Sequence, residues 1–170
     1  MTNTWMSWST GKDSAFTLFT LLNHSAHYNI TGLFTSITVP FNRVTLHSTR
    51  VELLNQQIER MNFPLYKIEI PSPCTNEIYN RKMHSLIEEA TKEKVNFMAF
   101  GDLFLEEVKD YRSKQLKDTS IQPLFPLWKI NTHELARKMI ALKFKAIITC
   151  VDETKMDSSF SGKEFDYDFL

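Results

Sequence analysis

Short apolar runs alternate with amphipathic stretches of helical spacing along most of this chain, and that alternation constrains the fold more than any other feature. Trp5 to Trp8, Ile30 to Val39, Leu65 to Ile70, Val95 to Phe100 and Ala146 to Val151 are rich in the β-branched, aromatic and aliphatic residues of strands in a buried parallel sheet. Between them, apolar residues recur at one-face helical spacing. The stripes are Ala15, Leu18, Phe19 and Leu22; Val51, Leu54, Ile58 and Met61; and Leu135, Met139 and Leu142. The longest predicted helix turns Tyr79, Met83, Leu86, Ile87 and Ala90 inward, and another spans Glu106 to Leu116 with Val108 and Tyr111 facing the core. Each connection is long enough for a right-handed crossover, so the pattern predicts an α/β fold: a doubly wound, mostly parallel sheet with helices on both faces.

Local signals sharpen the boundaries. Asp13 and Ser14 are candidate caps for the first helix, Thr49 and Glu52 have the spacing of a capping box for the second, and Asn131 with Glu134 opens the last. Pro123 and Pro126 argue against a central strand through Leu124 to Trp128 and favour a fitted loop. A chain of 170 residues is one domain's worth. That domain is expected over residues 1–152, followed by a polar and aromatic tail over 153–170 that is either a strap or the start of a further segment.

Twenty basic residues balance 20 acidic ones, so no net field favours nucleic acid or anionic lipid, and nucleic acid is not an expected partner. Cys74 and Cys150 lack metal-ligand spacing and read as buried free thiols in a reducing compartment. No apolar run approaches the ~18 residues of a membrane helix, and Met1 to Met6 has no signal-peptide pattern. A cytoplasmic location without membrane contact is expected.

The turn between the first strand and the first helix reads Ser7-Trp8-Ser9-Thr10-Gly11-Lys12-Asp13-Ser14. Such a turn in an open parallel sheet presents backbone N–H groups and the positive end of a helix, which together suit a polyphosphate. It is not a Walker A loop, because Met6 stands where that motif needs glycine and Asp13 where it needs Ser or Thr. Ser9, Thr10, Gly11, Lys12, Asp13 and Ser14 are therefore the candidate phosphate-binding residues. Asp102, beside Gly101 at the carboxyl end of a strand, is either a ligand for magnesium or ribose or a helix N-cap.

Ser9-Thr10-Gly11-Lys12-Asp13-Ser14 resembles the Ser-Gly-Gly-x-Asp-Ser signature of the N-type ATP pyrophosphatases of the PP-loop superfamily, with Thr10 in place of a glycine. Further ordered strings resemble one branch of them, the diphthine-ammonia ligase family. These are Arg43-Val-Thr-Leu-His47-Ser-Thr-Arg50, Phe63-Pro64-Leu65, Ala99-Phe100-Gly101-Asp102 with Glu106, Tyr111 and Arg112, Pro123-Leu-Phe-Pro-Leu-Trp128, and Ile148-Thr-Cys-Val-Asp152. Ser48 is a second place where the family usually has glycine, and the family continues beyond the position of Leu170 into a Gly-Glu-Asn-Gly-Glu-like box.

The resemblance implies a Rossmann-like HUP domain, an α/β/α sandwich, with ATP and Mg2+ as ligands; a homodimer is left open by the sequence. It implies that a carboxylate substrate is activated as an acyl-adenylate, from which ammonia displaces AMP to leave an amide; in the named family the carboxylate belongs to diphthine on a translation factor. Lys12, Asp13 and Asp102 are then the expected catalytic residues, Asp13 and Asp102 the metal ligands, Gly101 and Asp102 part of the nucleotide site, and His47 and Arg50 the substrate-side residues. Trp128 offers a flat face to adenine or packs in a surface loop; Thr149 and Asp152 are weaker candidates. Two other readings remain: an ATP- or AMP-binding module without turnover, and a tRNA-modifying PP-loop ATPase.

Overall fold

A computed structural model describes all 170 residues. Its contacts divide the chain into two units, 1–128 and 129–170. In the first, the elements run β1 (Thr2–Ser7), α1 (Lys12–Asn23), β2 (Tyr28–Thr38), β3 (Arg43–Val44), α2 (Val51–Met61), β4 (Leu65–Ile70), α3 (Asn76–Lys92), β5 (Phe97–Ala99), α4 (Glu106–Leu116) and β6 (Gln122–Leu124). β1 pairs in parallel with β2 on one side and β5 on the other; β4 extends the sheet beyond β2, β6 beyond β5, and β3 pairs antiparallel with the end of β2. The parallel order is thus β4-β2-β1-β5-β6, and its direction of growth reverses between β1 and β5. That reversal is where open α/β sheets form a crevice beyond the strand ends.

Two apolar cores lie on opposite faces of the sheet. One packs Leu18 and Leu21 of α1 and Leu54 of α2 against Met6, Leu33 and Ile37. The other packs Met83, Leu86, Ile87 and Ala90 of α3 and Leu116 of α4 against Trp5, Phe34, Ile68 and Met98. Trp5 and Met6 point to opposite faces because neighbouring strand residues alternate, and this pairing of one strand with two cores is what the doubly wound reading requires. The doubly wound, mostly parallel α/β sheet with helices on both faces, predicted from the alternation, is observed.

Several local expectations are corrected. Val39 leaves the second strand for a 3-10 turn. On α1 the buried face is Phe16, Thr17, Leu18 and Leu21, whereas Leu22 is exposed. Tyr111 is 39% exposed and donates to Asn80 Oδ1 with Gln115 beside it, so Leu116 is the core anchor of α4. Pro123 sits inside β6, which is possible because β6 is an edge strand whose other side needs no N–H donor.

The second unit contains α5 (Thr132–Ala141), which Asn131 caps by accepting from the N–H groups of His133 and Glu134. Leu135 and Met139 are buried as predicted, and Leu142 is exposed. The expected strand over Ala146 to Val151 does not form. Only Ile147 makes an isolated bridge, antiparallel to Glu164, and the segment lies with the tail in the second unit, 129–170. Both cysteines are exposed, contrary to the reading as buried thiols. No helix is long and apolar enough to cross a membrane.

Candidate functional site

The β1–α1 turn and the segment after β5 flank the crevice where the sheet order reverses. They bound a cleft of about 500 Å3 lined by Ser7, Ser9, Asp13, Ser14, His47, Gly101, Asp102, Leu103, Phe104, Leu105 and Arg112. Its size is that of a ligand site. The structure thus brings together Ser9, Asp13, Ser14, His47, Gly101 and Asp102 from the predicted set. Thr10 and Gly11 form the turn and Lys12 opens α1, but none of the three lines the cleft, and neither does Arg50, the exposed N-cap of α2.

The turn is braced from within. Ser9 Oγ donates to Ser14 Oγ at 3.1 Å, and Ser14 Oγ donates to Gly11 O at 2.9 Å. These hydroxyls shape the loop. Neither Asp13 nor Ser14 caps α1, which is the correction to the sequence reading: Gly11 is the N-cap and no side chain caps the helix. Asp13 instead pairs with Lys12, Nζ to Oδ1 at 2.7 Å. Thr10 holds a left-handed φ of +68°, the conformation for which glycine is suited, and its Oγ1 donates to Thr49 Oγ1 at 2.7 Å. Trp8 Nε1 donates to Gln57 Oε1 at 3.0 Å, and Gln57 Nε2 reaches Thr10 O at 3.4 Å, so α2 fixes the loop at two points. Thr49 is therefore spent on the loop, and Glu52 accepts from Asn42 Nδ2; the capping box does not form.

Gly11 has an extended φ of −93°, and an added Cβ would meet only Ser9 Oγ, at 3.5 Å. Nothing in the protein itself requires glycine there, so the free space beside it suits the close approach of a phosphate. Gly101 differs. A Cβ there would meet Thr17 Oγ1 at 2.9 Å and Asp13 O at 3.3 Å, so its glycine lets the segment after β5 lie directly on the first turn of α1.

The far wall is built on Asp102 and Arg112. Arg112 Nε lies 2.7 Å from Asp102 Oδ2, and Nη2 donates to Oδ1 at 3.4 Å. The guanidinium also lies over the Phe100 ring, 4.4 Å from its centroid. Each carboxylate in the cleft thus has a cation of its own, which removes the repulsion an acidic cleft would impose on an anion. His47 lies near Asp13; desolvation holds its pKa below the ordinary imidazole value, with the Asp13 carboxylate opposing that shift.

The acidic side chains here are too few to hold magnesium by themselves. Asp13 and Asp102 are the only carboxylates lining the cleft, and no group of three His, Cys, Asp or Glu residues could hold a metal. Mg2+ commonly takes one or two carboxylates with substrate phosphates and water.

Trp128 does not line the cleft. Its ring lies 6.1 Å from that of Phe125, with Lys109 Nζ 4.6 Å from its centroid. Sequence reasoning missed Ser7 and the apolar lip Leu103, Phe104 and Leu105. The signal for the lip is three apolar residues between Asp102 and α4 that belong to no periodic face.

No protein-family model matches the chain. No curated protein matches it either. Among solved structures it is similar to the U34-tRNA thiolase NcsA from Methanococcus maripaludis, determined with its [4Fe-4S] cluster, at a TM-score of 0.52 and 14% identity, over 84% of this chain. The chain spans 56% of that protein's length. At this identity the likeness speaks for the fold, a Rossmann-like α/β domain.

Proposed function

We propose that the cleft binds ATP with magnesium and that the chain belongs to an AMP-forming ligase, one that adenylates a carboxylate and passes the acyl group to ammonia. One observation carries this reading: Ser9, Asp13 and Ser14 of the β1–α1 turn and Gly101–Asp102 meet around one cleft at the reversal of sheet order. Thr10 and Ser48, the two positions where the resembled family has glycine, both have positive φ, which supports a shared backbone path.

In the proposed reaction a carboxylate oxygen of the substrate bonds to the α-phosphorus of ATP. The bond from that phosphorus to the bridging oxygen breaks, and pyrophosphate leaves with the electron pair. Ammonia then bonds to the acyl carbon, the bond from that carbon to the AMP oxygen breaks, and the surplus proton passes to water. Magnesium would neutralise charge on the phosphates. Lys12 and the amino end of α1 stabilise the leaving pyrophosphate, and Gly11 lets the backbone approach it. Arg112 holds Asp102 against the opposite wall. No nucleophilic side chain is required, because positioning and electrostatics supply the rate.

Incubation with ATP, magnesium, ammonia and candidate acids tests the reading through its products. AMP with pyrophosphate is expected; ADP with phosphate would refute the mechanism. A tRNA-modifying ATPase is the second reading, favoured by the likeness to the thiolase. A [4Fe-4S] cluster needs more thiolates than these 170 residues hold, since Cys74 and Cys150 are the only cysteines. The balanced charge also gives no electrostatic footprint for RNA. Thiolated tRNA in place of an amide product would decide for that reading, and nucleotide binding with no AMP formed would decide for a module without turnover.

A further inference from the structure

A second and larger cavity, about 710 Å3, lies among the ends of β2 and β4, the 41–48 segment and the start of α3. The reaction outlined above leaves it without a role. Its charge is the first clue. The polar lining consists of hydroxyls, the Cys74 thiol, the Asn76 amide and the Arg43 guanidinium, with no carboxylate. Arg43 makes one hydrogen bond, from Nη1 to Ser48 O at 2.7 Å, so the fork is anchored at one end and keeps donors for a ligand. A cation without an acid in a hydroxyl-lined cavity suits an anion.

Position is the second clue. Leu46 and Ser48 line this cavity, while His47 between them lines the nucleotide cleft. Consecutive Cα atoms stand about 3.8 Å apart, so the partition is one residue thick. It is also well held: Thr45 N–H donates to Ser36 O and Ser48 N–H to Val44 O, both at 2.9 Å. The turn closed by the Ser48-to-Val44 hydrogen bond sets Leu46 at a φ of +65° and leaves its side chain 96% exposed, free to meet a ligand in the cavity.

We propose that this cavity seats the acyl substrate: an acid with an apolar or aromatic body resting against Phe41, Leu46 and Tyr79, and with a further anionic group, carboxylate or phosphate, held by Arg43. The reacting carboxylate then reaches past His47 into the first cleft. This rests on the first cleft being the nucleotide site.

The test is an amide NMR titration of the full chain with phenylacetate, phenyl phosphate and phenethylamine, each with and without AMP. Either anionic fragment is expected to shift Arg43, Leu46 and Asn76 at millimolar concentration, and the amine is expected to leave them unmoved; the tighter anion distinguishes carboxylate from phosphate. Arg43→Met should weaken binding at least about tenfold, while Arg43→Lys should stay within about threefold of the wild type. Asn76→Asp adds a carboxylate that a helix start tolerates, and it should weaken binding comparably in a folded protein. Equal binding of the amine, no binding of either anion, or wild-type affinity in both Arg43→Met and Asn76→Asp would overturn the proposal. So would displacement of the fragments by AMP, which would make the cavity the adenosine half of the nucleotide site. If AMP shifts nothing while the anions still require Arg43, the nucleotide reading fails and the anion site stands.

Discussion

Arg112 Nε stands 2.7 Å from Asp102 Oδ2, joining α4 to the segment after β5 across the wall of the cleft. Both side chains are mostly buried, so removing one leaves the other without its partner. Arg112→Met also removes the guanidinium from over Phe100. The substitution should lower unfolding free energy by about 1–3 kcal/mol, measured by urea denaturation. A change under about 0.5 kcal/mol would mean that the pair has no structural weight.

The two glycines that flank the cleft should respond oppositely to a methyl group. Gly11→Ala has ordinary φ and open space, so the fold should lose no more than about 1 kcal/mol, the cost of alanine at an N-cap, while nucleotide affinity falls about tenfold or more. Gly101→Ala forces a methyl toward Thr17 Oγ1 and the Asp13 carbonyl and should lower the melting temperature by several degrees, roughly 1–3 kcal/mol. Thermal melts with and without an ATP analogue separate the two effects.

Ser48 and Thr10 share a left-handed backbone, but only Thr10 uses its side chain. Ser48→Gly loses no side-chain hydrogen bond and should raise stability by up to about 1 kcal/mol. Thr10→Gly relieves similar strain yet forfeits the bond to Thr49, so its net effect should lie within about 1 kcal/mol of zero. Chemical denaturation of both variants checks the contrast; a larger gain for Thr10→Gly would contradict it.

His47 gives the cleft a pH signature. Its folded pKa lies below the ordinary imidazole value, first through desolvation, so between the folded and unfolded values the unfolded chain binds more protons. This contribution to stability is fully present above the unfolded pKa and is lost as pH falls through the folded one. His47→Gln should flatten the slope in that window. A polyphosphate in the cleft should raise the His47 pKa, visible in a histidine proton NMR titration; no movement on saturation with nucleotide would place the phosphates elsewhere.

How far the sequence could be read depended on the kind of residue. Buried periodic faces were legible: Leu65 to Ile70 and Glu106 to Leu116 have the predicted bounds, and Met83, Leu86, Ile87 and Ala90 are buried together. Half-exposed polar residues were not. Thr49 and Glu52 have capping spacing, yet Thr10 and Asn42 claim their side chains, because a tertiary partner outcompetes a local one. The apparent strand at Ala146 to Val151 has the composition of a core strand but only one bridge partner. In the cleft, the β1–α1 turn was legible from its glycine and charges. The Asp102–Arg112 pairing was not, since the nine residues between them give it no periodic signal.

In the proposed complex a triphosphate sits between the amino end of α1 and the segment after β5. Amide shifts of the full chain during titration with magnesium and an ATP analogue carrying a methylene between the α and β phosphorus test it most directly. Saturable shifts should be largest at Ser9–Ser14, Gly101 and Asp102. No saturable shift, or shifts clustered away from both segments, would mean that no triphosphate binds there.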